Sequence, residues 1–365
     1  MLKGIFMKNE KRLAKIISSA LIATSLLVGF HTEQAVEAKC VIEGFDLEAH
    51  RGGRALRPEN TLDAFANALE LGVTTLEMDT YISKDGVVFV SHNPSTYYYL
   101  TKKDGKWLKE NEEKDVRLLT IEQLKKYDIG GINPEHKYHD NFSKQISFKD
   151  AKYPTLAEVF ELVKAYGNDK VTFNIETKSF PDKNEKEYAN NTPPDVFVRK
   201  LHDVITQYGM QDRVVLQSFD WRTLIEMKQY DSDITLAALI SKNPKLLAMD
   251  KVAPSPWLGG LDAKAFDGNF VKAAHAIAAD IISPNYAQVT KKTVEEAHAL
   301  GMKILPWTVN DRAEMERLID LGVDGIISDD PALLREVCIE NGIAVPEPSK
   351  RPLNSQYNND NRRIN

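Results

Sequence analysis

The chain has 365 residues, of which 42% are hydrophobic and 27% charged, with a formal net charge of −6 and two cysteines. That length supports one large core. The acidic balance excludes wholesale binding to nucleic acid or anionic membrane, so any phosphate recognition has to come from a local basic cluster.

The first segment reads as an export signal. Lys8, Lys11, Arg12 and Lys15 form a basic start, Ile16 to Phe30 is apolar, and Val36-Glu37-Ala38 offers small residues at cleavage spacing. The apolar run is too short to span a bilayer comfortably. Residues 1–38 are therefore expected to be a signal peptide. The protein would be exported, periplasmic or secreted, with no stable membrane insertion after signal removal. Lys39 ahead of Cys40 fits a lipidation site poorly. The remaining chain carries 42 basic and 50 acidic residues, once Lys3, Lys8, Lys11, Arg12, Lys15, Glu10, Glu33 and Glu37 are set aside. Cys40 and Cys338 either pair in an oxidising compartment or are unrelated thiols.

Strand-like and helical runs then alternate. Strands are expected at Phe45–His50, Thr74–Asp79, Val87–His92, Lys170–Glu176, Arg213–Phe219, Ile234–Ile240, Asp280–Pro284, Lys303–Val309 and Gly325–Ser328. Leu62, Phe65 and Leu69 share a helix face, with Asn60 as candidate cap. Thr155-Leu156-Ala157-Glu158 reads as a capping box. Leu71-Gly72, Leu300-Gly301 and Leu321-Gly322 each end a helix before a strand. This order describes βα units and a parallel sheet. Ser83-Lys84-Asp85-Gly86 is too short for a parallel crossover. Val87–His92 should therefore return antiparallel along Thr74–Asp79 and bring His92 near Glu77 and Asp79.

Residues 93–148 read as an insertion whose one amphipathic stretch is Ile121–Tyr127. Ser241–Phe270 is a long irregular connection, of the kind that is usually a lid or mobile segment. Residues 344–365 are polar and read as a loose tail.

The chemistry concentrates at strand ends. His50 and His92 suit a base and an acid, because histidine titrates near neutrality. His136, His139, His202, His275 and His298 stand away from such strand-end motifs and read as solvated or helix-surface residues. Glu77 and Asp79 are two apart and point to one face. With Glu176 they make three carboxylates without a Cys/His cluster, which suits one hard divalent cation, Ca²⁺ or Mg²⁺. Arg51 and Lys178 are positioned to hold phosphate oxygens. Glu59, Phe219 and Trp307 form a second tier.

The order Ala49-His50-Arg51-Gly52, Pro58-Glu59-Asn60-Thr61, Glu77-Met78-Asp79 and Ser91-His92, followed by Asn174-Ile175-Glu176-Thr177-Lys178, resembles the glycerophosphodiester phosphodiesterase family. Gln217-Ser218-Phe219-Asp220, Pro306-Trp307-Thr308-Val309-Asn310 and Asp324-Gly325-Ile326-Ile327-Ser328-Asp329 add to it. The resemblance runs from about Glu43 to Val337. One position departs: Asn93 stands where the family usually has Asp, and it can hydrogen-bond but supplies no charge.

The resemblance implies an α/β fold, a TIM-type (β/α)8 barrel of the phosphatidylinositol phospholipase C kind, over residues 39–343. The implied reaction is metal-dependent hydrolysis of small-molecule glycerophosphodiesters to sn-glycerol 3-phosphate and an alcohol. His50 and His92 would be catalytic, the reaction passing through a cyclic phosphate. Glu77, Asp79 and Glu176 would bind the metal. Two rival readings are a phospholipase or sphingomyelinase D-like enzyme on intact lipids and an inactive exported binding protein. The leaving alcohol, the choice between Ca²⁺ and Mg²⁺ and the oligomeric state stay open.

Overall fold

The computed structural model describes residues 39–242, 255–352 and 362–364. The expected signal peptide lies outside the described residues. Among the described residues no helix is long and apolar enough to cross a membrane.

Eight parallel strands form a nearly closed barrel. In chain order they are β1 (Asp46–Ala49), β2 (Thr75–Ile82), β4 (Thr172–Thr177), β5 (Val214–Ser218), β6 (Thr235–Ile240), β7 (Ile281–Pro284), β8 (Lys303–Ile304) and β9 (Gly325–Ser328). The ninth strand, β3 (Val88–Val90), pairs antiparallel with β2, Thr80 opposite Val90, as the short Ser83–Gly86 turn requires. The ladder runs β8-β7-β6-β5-β4-β2-β1-β9. The β8–β9 seam is bridged by Asp324 N–H to Ile304 C=O at 3.1 Å and Ile327 N–H to Pro306 C=O at 3.0 Å.

Alternation along the strands decides what faces the lumen. Leu47, Ala49, Leu76, Met78, Phe173 and Ile175 join the large apolar core that includes the helices' buried faces. The intervening residues, Asp46, Glu48, Thr75, Glu77, Asp79, Thr172, Asn174 and Glu176, are also buried but polar. They form one side of a polar lumen that ends at the strands' C-terminal mouth. Helices α1 (Leu62–Leu71), α2 (Leu156–Ala165), α3 (Pro194–Tyr208), α4 (Trp221–Tyr230), α5 (Phe270–Ala276), α6 (Lys291–Ala299), α7 (Arg312–Leu321) and α8 (Pro331–Glu340) follow the strands. The capping box at Thr155 and Glu158 is present. Helix α1 differs from expectation: Thr61, not Asn60, caps it by accepting from Ala64 N–H. Asn60 is turned to φ 55 and serves the site instead.

The insertion has its own apolar cluster. Leu108, Val116, Leu124, Tyr127 and Tyr153 pack on Tyr81 and Phe89 of the β2–β3 hairpin. Its helix covers only Ile121–Leu124, because Tyr127-Asp128 pairs with Lys102-Lys103 as a short strand. The tail is not loose where it is described. Ser349 N–H bonds Leu69 C=O, Arg351 forks onto Glu70, and Arg363-Ile364 pairs with Ser147-Phe148.

The cysteines do not pair: both are free and buried. Strand β1 does neighbour α8, but Cys40 precedes β1 and is carried to the barrel floor. There it packs with Ile42, Val215, Ala237, Ile281 and Leu305, while Cys338 sits in the main core. Burial pushes the Cys40 thiol up to about 12 and the Cys338 thiol up to about 11. Both should resist alkylation in the native protein and react fully after denaturation without reductant. A Cys40–Cys338 linked peptide in a non-reduced digest would contradict this placement.

Candidate active site

Strands β2 and β4 run side by side with Asp79 opposite Glu176 and Glu77 opposite Asn174. Glu77, Asp79 and Glu176 are therefore neighbours at the barrel mouth, each with a ligand oxygen within 4.8 Å of the others. They are at most 6% exposed. Burial, then Asp79, pushes Glu77 well above the usual carboxylate range. Burial raises Glu176 to about 7 against the pull of Lys178. Asp79 goes the other way: burial raises it, but His92, Lys178 and Arg51 together hold it well below the usual range. Such a set suits a hard divalent cation, since all three residues offer oxygen and their mutual repulsion needs added positive charge.

The cations already there are Lys178 and Arg51. Lys178 Nζ lies 2.9 Å from Glu176 Oε1 and 3.6 Å from Asp79 Oδ1. Arg51 Nη1 donates to Glu59 at 2.9 Å, and its Nε lies 3.4 Å from Asp79 Oδ2. The local chain makes this possible. Arg51 has left-handed φ 52 and ψ 34 in the tight His50–Gly52 turn, a conformation that costs a non-glycine residue about 1–2 kcal/mol. Its backbone N–H is thereby turned onto Glu77 Oε2 at 2.7 Å. Gly52 lets the turn press on α1: a Cβ there would sit 2.7 Å from that of Ala64.

The two histidines are held differently. His50 Nδ1 meets Asp329 Oδ1 at 2.5 Å, and its Nε2 lies 4.0 Å from Glu77 Oε2. Asp329 also accepts from Arg54 Nε at 2.7 Å and Asn310 Nδ2 at 2.7 Å. Burial raises the Asp329 carboxyl, but His50 and Arg54 outweigh it and hold it far below the usual range. Burial lowers His50 while Asp329 opposes. His92 Nδ1 meets Asn93 Oδ1 at 3.0 Å, and its carbonyl accepts from Tyr81 OH at 3.2 Å. Burial, then Arg51 and Lys178, pushes His92 well below its ordinary value.

All the residues expected at the site are thus brought together. His50, Arg51, Glu77, His92, Glu176, Phe219 and Trp307 line one pocket at the barrel mouth. Phe219 and Trp307 meet edge to face at 5.3 Å as an aromatic wall. Glu59 anchors Arg51 and accepts from Tyr138 OH of the insertion at 3.3 Å.

Several partners carry no expected role from sequence. Asp329 and Asn310 lie within quoted runs, and their positions after β9 and β8 were the available signal. Arg54 and Tyr138 had none. Asn60 donates to Asp79 Oδ2 at 2.9 Å, and Gln217 to Glu77 Oε1 at 2.7 Å. Of the remaining histidines, His136 stacks on Tyr99 at 4.2 Å in the insertion, and His202 and His298 bond Asp231 and Asp324.

The family model described as "Glycerophosphoryl diester phosphodiesterase family" matches residues 50–333. A glycerophosphodiester phosphodiesterase of Caldanaerobacter subterraneus is 30% identical over 80% of this chain and 98% of its own length. One from Bacillus subtilis is 25% identical over 79% of this chain and 85% of its own. A crystal structure named as a glycerophosphoryl diester phosphodiesterase of Silicibacter pomeroyi has TM-score 0.72 and 28% identity, over 84% of this chain and 97% of that one. The fold is shared with an Oleispira antarctica phosphodiesterase in complex with sn-glycerol-3-phosphate, at TM-score 0.59 and 20% identity, over 81% of this chain and 97% of that one. With its family model covering the barrel from His50 to α8, the chain belongs to the glycerophosphoryl diester phosphodiesterase family.

Proposed function

We propose that the protein hydrolyses glycerophosphodiesters to sn-glycerol 3-phosphate and an alcohol, using a divalent cation on Glu77, Asp79 and Glu176 and proton transfer by His50 and His92. The observation that carries this is the barrel mouth itself. Three oxygen ligands, two phosphate-binding cations and two histidines with Nδ1 already engaged converge at the same mouth. A bound divalent cation would supply positive charge to a phosphate oxygen and to the nucleophilic hydroxyl.

The residues have separable tasks. Arg51 and Lys178 hold the free phosphate oxygens. Asp329 accepts from His50 Nδ1–H, which leaves the Nε2 lone pair to take the proton of the glycerol 2-hydroxyl. The hydroxyl oxygen then bonds phosphorus, and the phosphorus–alcohol bond breaks. His92 gives its Nε2 proton to the departing oxygen; Arg51 and Lys178 make that proton easy to release. Water opens the cyclic phosphate with the two roles exchanged. The phosphate and both glycerol hydroxyls are then free as sn-glycerol 3-phosphate. The basic and apolar start of the chain, with a small-residue site at Ala38, supports export, and cleavage there would leave Lys39 free to keep its 2.7 Å pair with Asp280.

Chelation should abolish activity. Glu77→Gln, Asp79→Asn and Glu176→Gln should each weaken divalent-cation binding at least tenfold by calorimetry, which is about 1.4 kcal/mol. Full activity in excess chelator, from protein purified without metal, would sink the metal reading.

A substrate analogue with hydrogen in place of the glycerol 2-hydroxyl should bind comparably and turn over far more slowly, because the effective-molarity advantage is lost. His50→Ala and His92→Ala should each lower kcat on the natural substrate by ~10²–10⁴-fold. With nitrophenolate as leaving group the acid is dispensable, so the His92 variant should recover and the His50 variant should not. Equal turnover of the deoxy analogue would replace the cyclic route by direct attack of water.

Asp329 makes a pH prediction. Its folded carboxyl titrates below the unfolded value of about 4. Its contribution is therefore complete above that value and is lost as pH falls through the folded one. Asp329→Asn should melt lower than wild type at neutral pH, with a shallower fall in Tm between pH 5 and pH 2. Equal acid slopes in the two proteins would refute the assignment.

A further inference from the structure

A second, narrower pocket meets the first at His92. Its floor is the Pro58–Asn60 turn and the end of β3, and its far wall is the insertion, through Tyr97, Leu100 and Ile132. Resting on the reading of His92 as the acid, we infer that this pocket binds the leaving alcohol, and that it selects small alcohols without negative charge.

The geometry points there for two reasons. In-line displacement puts the attacking and leaving oxygens on opposite sides of phosphorus. His50, the base, lines only the first pocket, whereas His92, which protonates the leaving oxygen, lines both. The glycerol and its hydroxyl therefore belong with His50, Phe219 and Trp307, and the departing alcohol extends past His92 beneath the insertion.

The wall also sets the chemical class. Among the described residues it contains no lysine or arginine. The carboxylate among its described residues, Glu59, is already matched by Arg51 and bonded by Tyr138. An ethanolamine, choline or glycerol group meets hydroxyls and aromatic faces there, and a cationic one gains from Tyr97. A serine carboxylate would be moved out of water with no cation to receive it, which is costly.

The test uses the full, metal-loaded enzyme. Kinetics are measured with the glycerophosphodiesters of choline, ethanolamine, glycerol and serine, and separately with glycerol 1,2-cyclic phosphate, which has no second alcohol on its phosphate. The serine diester should show kcat/KM about tenfold or more below the ethanolamine diester, mainly through KM. Leu100→Trp, which fills the pocket, should raise KM for the choline diester about tenfold while leaving cyclic-phosphate hydrolysis within about twofold. If that variant fails to fold, Tyr97→Ala serves, with a raised KM for the choline diester alone.

Equal use of the serine diester, or parallel loss on both substrate types in a variant of unchanged Tm, would overturn the inference. Failure of the wild type on every diester would instead overturn the phosphodiesterase reading. Calorimetric binding of the choline against the serine diester would then decide the pocket, with tighter serine binding counting against it.

Discussion

Three carboxylates buried within 4.8 Å of one another at the mouth of a barrel are the constraint on which the site depends. Without added positive charge such a group cannot stay fully ionised. The local chain answers this with charge brought from outside the strands that carry the acids. Arg51 arrives from the turn after β1 in a left-handed backbone, and Lys178 from the residue just past β4. Both remain cationic: burial works against Lys178, but Glu176 and Asp79 outweigh it and raise it. Two cations beside three acids leave room for more positive charge, and the triad, offering oxygen alone, could hold a divalent ion.

Below the mouth the lumen is managed by neutral donors instead. Asn174 donates to Glu48 at 2.9 Å, Thr75 to Asp46 at 2.6 Å and Gln217 to Glu77 at 2.7 Å. Burial, followed by Asp46, pushes Glu48 well above the carboxylate range. At the floor Lys303 spends its ammonium on the Ile42 carbonyl. Lys303 keeps its charge at the floor, but the cations beside the acidic triad, Arg51 and Lys178, stand at the mouth. A phosphate would be drawn to the mouth, and the amides that steady Glu77 and Glu48 would not compete for it.

What could be read from sequence follows the same division. The nine strands, the antiparallel return of β3 and the residues of the acidic triad were legible because alternation and spacing are local properties. So were the strand ends that carry His50 and His92. The partners that tune them were not. Asp329 reaches His50 across the β1–β9 seam, 279 residues away in the chain, and only closure of the barrel makes them neighbours. Asn60 reads locally as a helix cap, yet Thr61 beside it does that work and frees Asn60 for Asp79. The cysteines stayed open in sequence for a similar reason: only the structure shows that the segment before β1 carries Cys40 to the barrel floor, away from Cys338.

The substitution of an amide for an acid after His92 becomes intelligible in this setting. A carboxylate on Nδ1 favours the imidazolium, so Asp329 helps His50 to take a proton. An amide oxygen on Nδ1 fixes the tautomer of His92 without adding charge. His92 already faces Asp79, whose charge is shared with Arg51 and Lys178. A further carboxylate at Asn93 would strengthen its hold on a proton that, in the proposed reaction, it releases to the leaving alcohol. The two histidines are therefore made unequal by their neighbours. The proposed base is backed by a charge, the proposed acid by a dipole, and the pocket under the insertion opens on the side of His92.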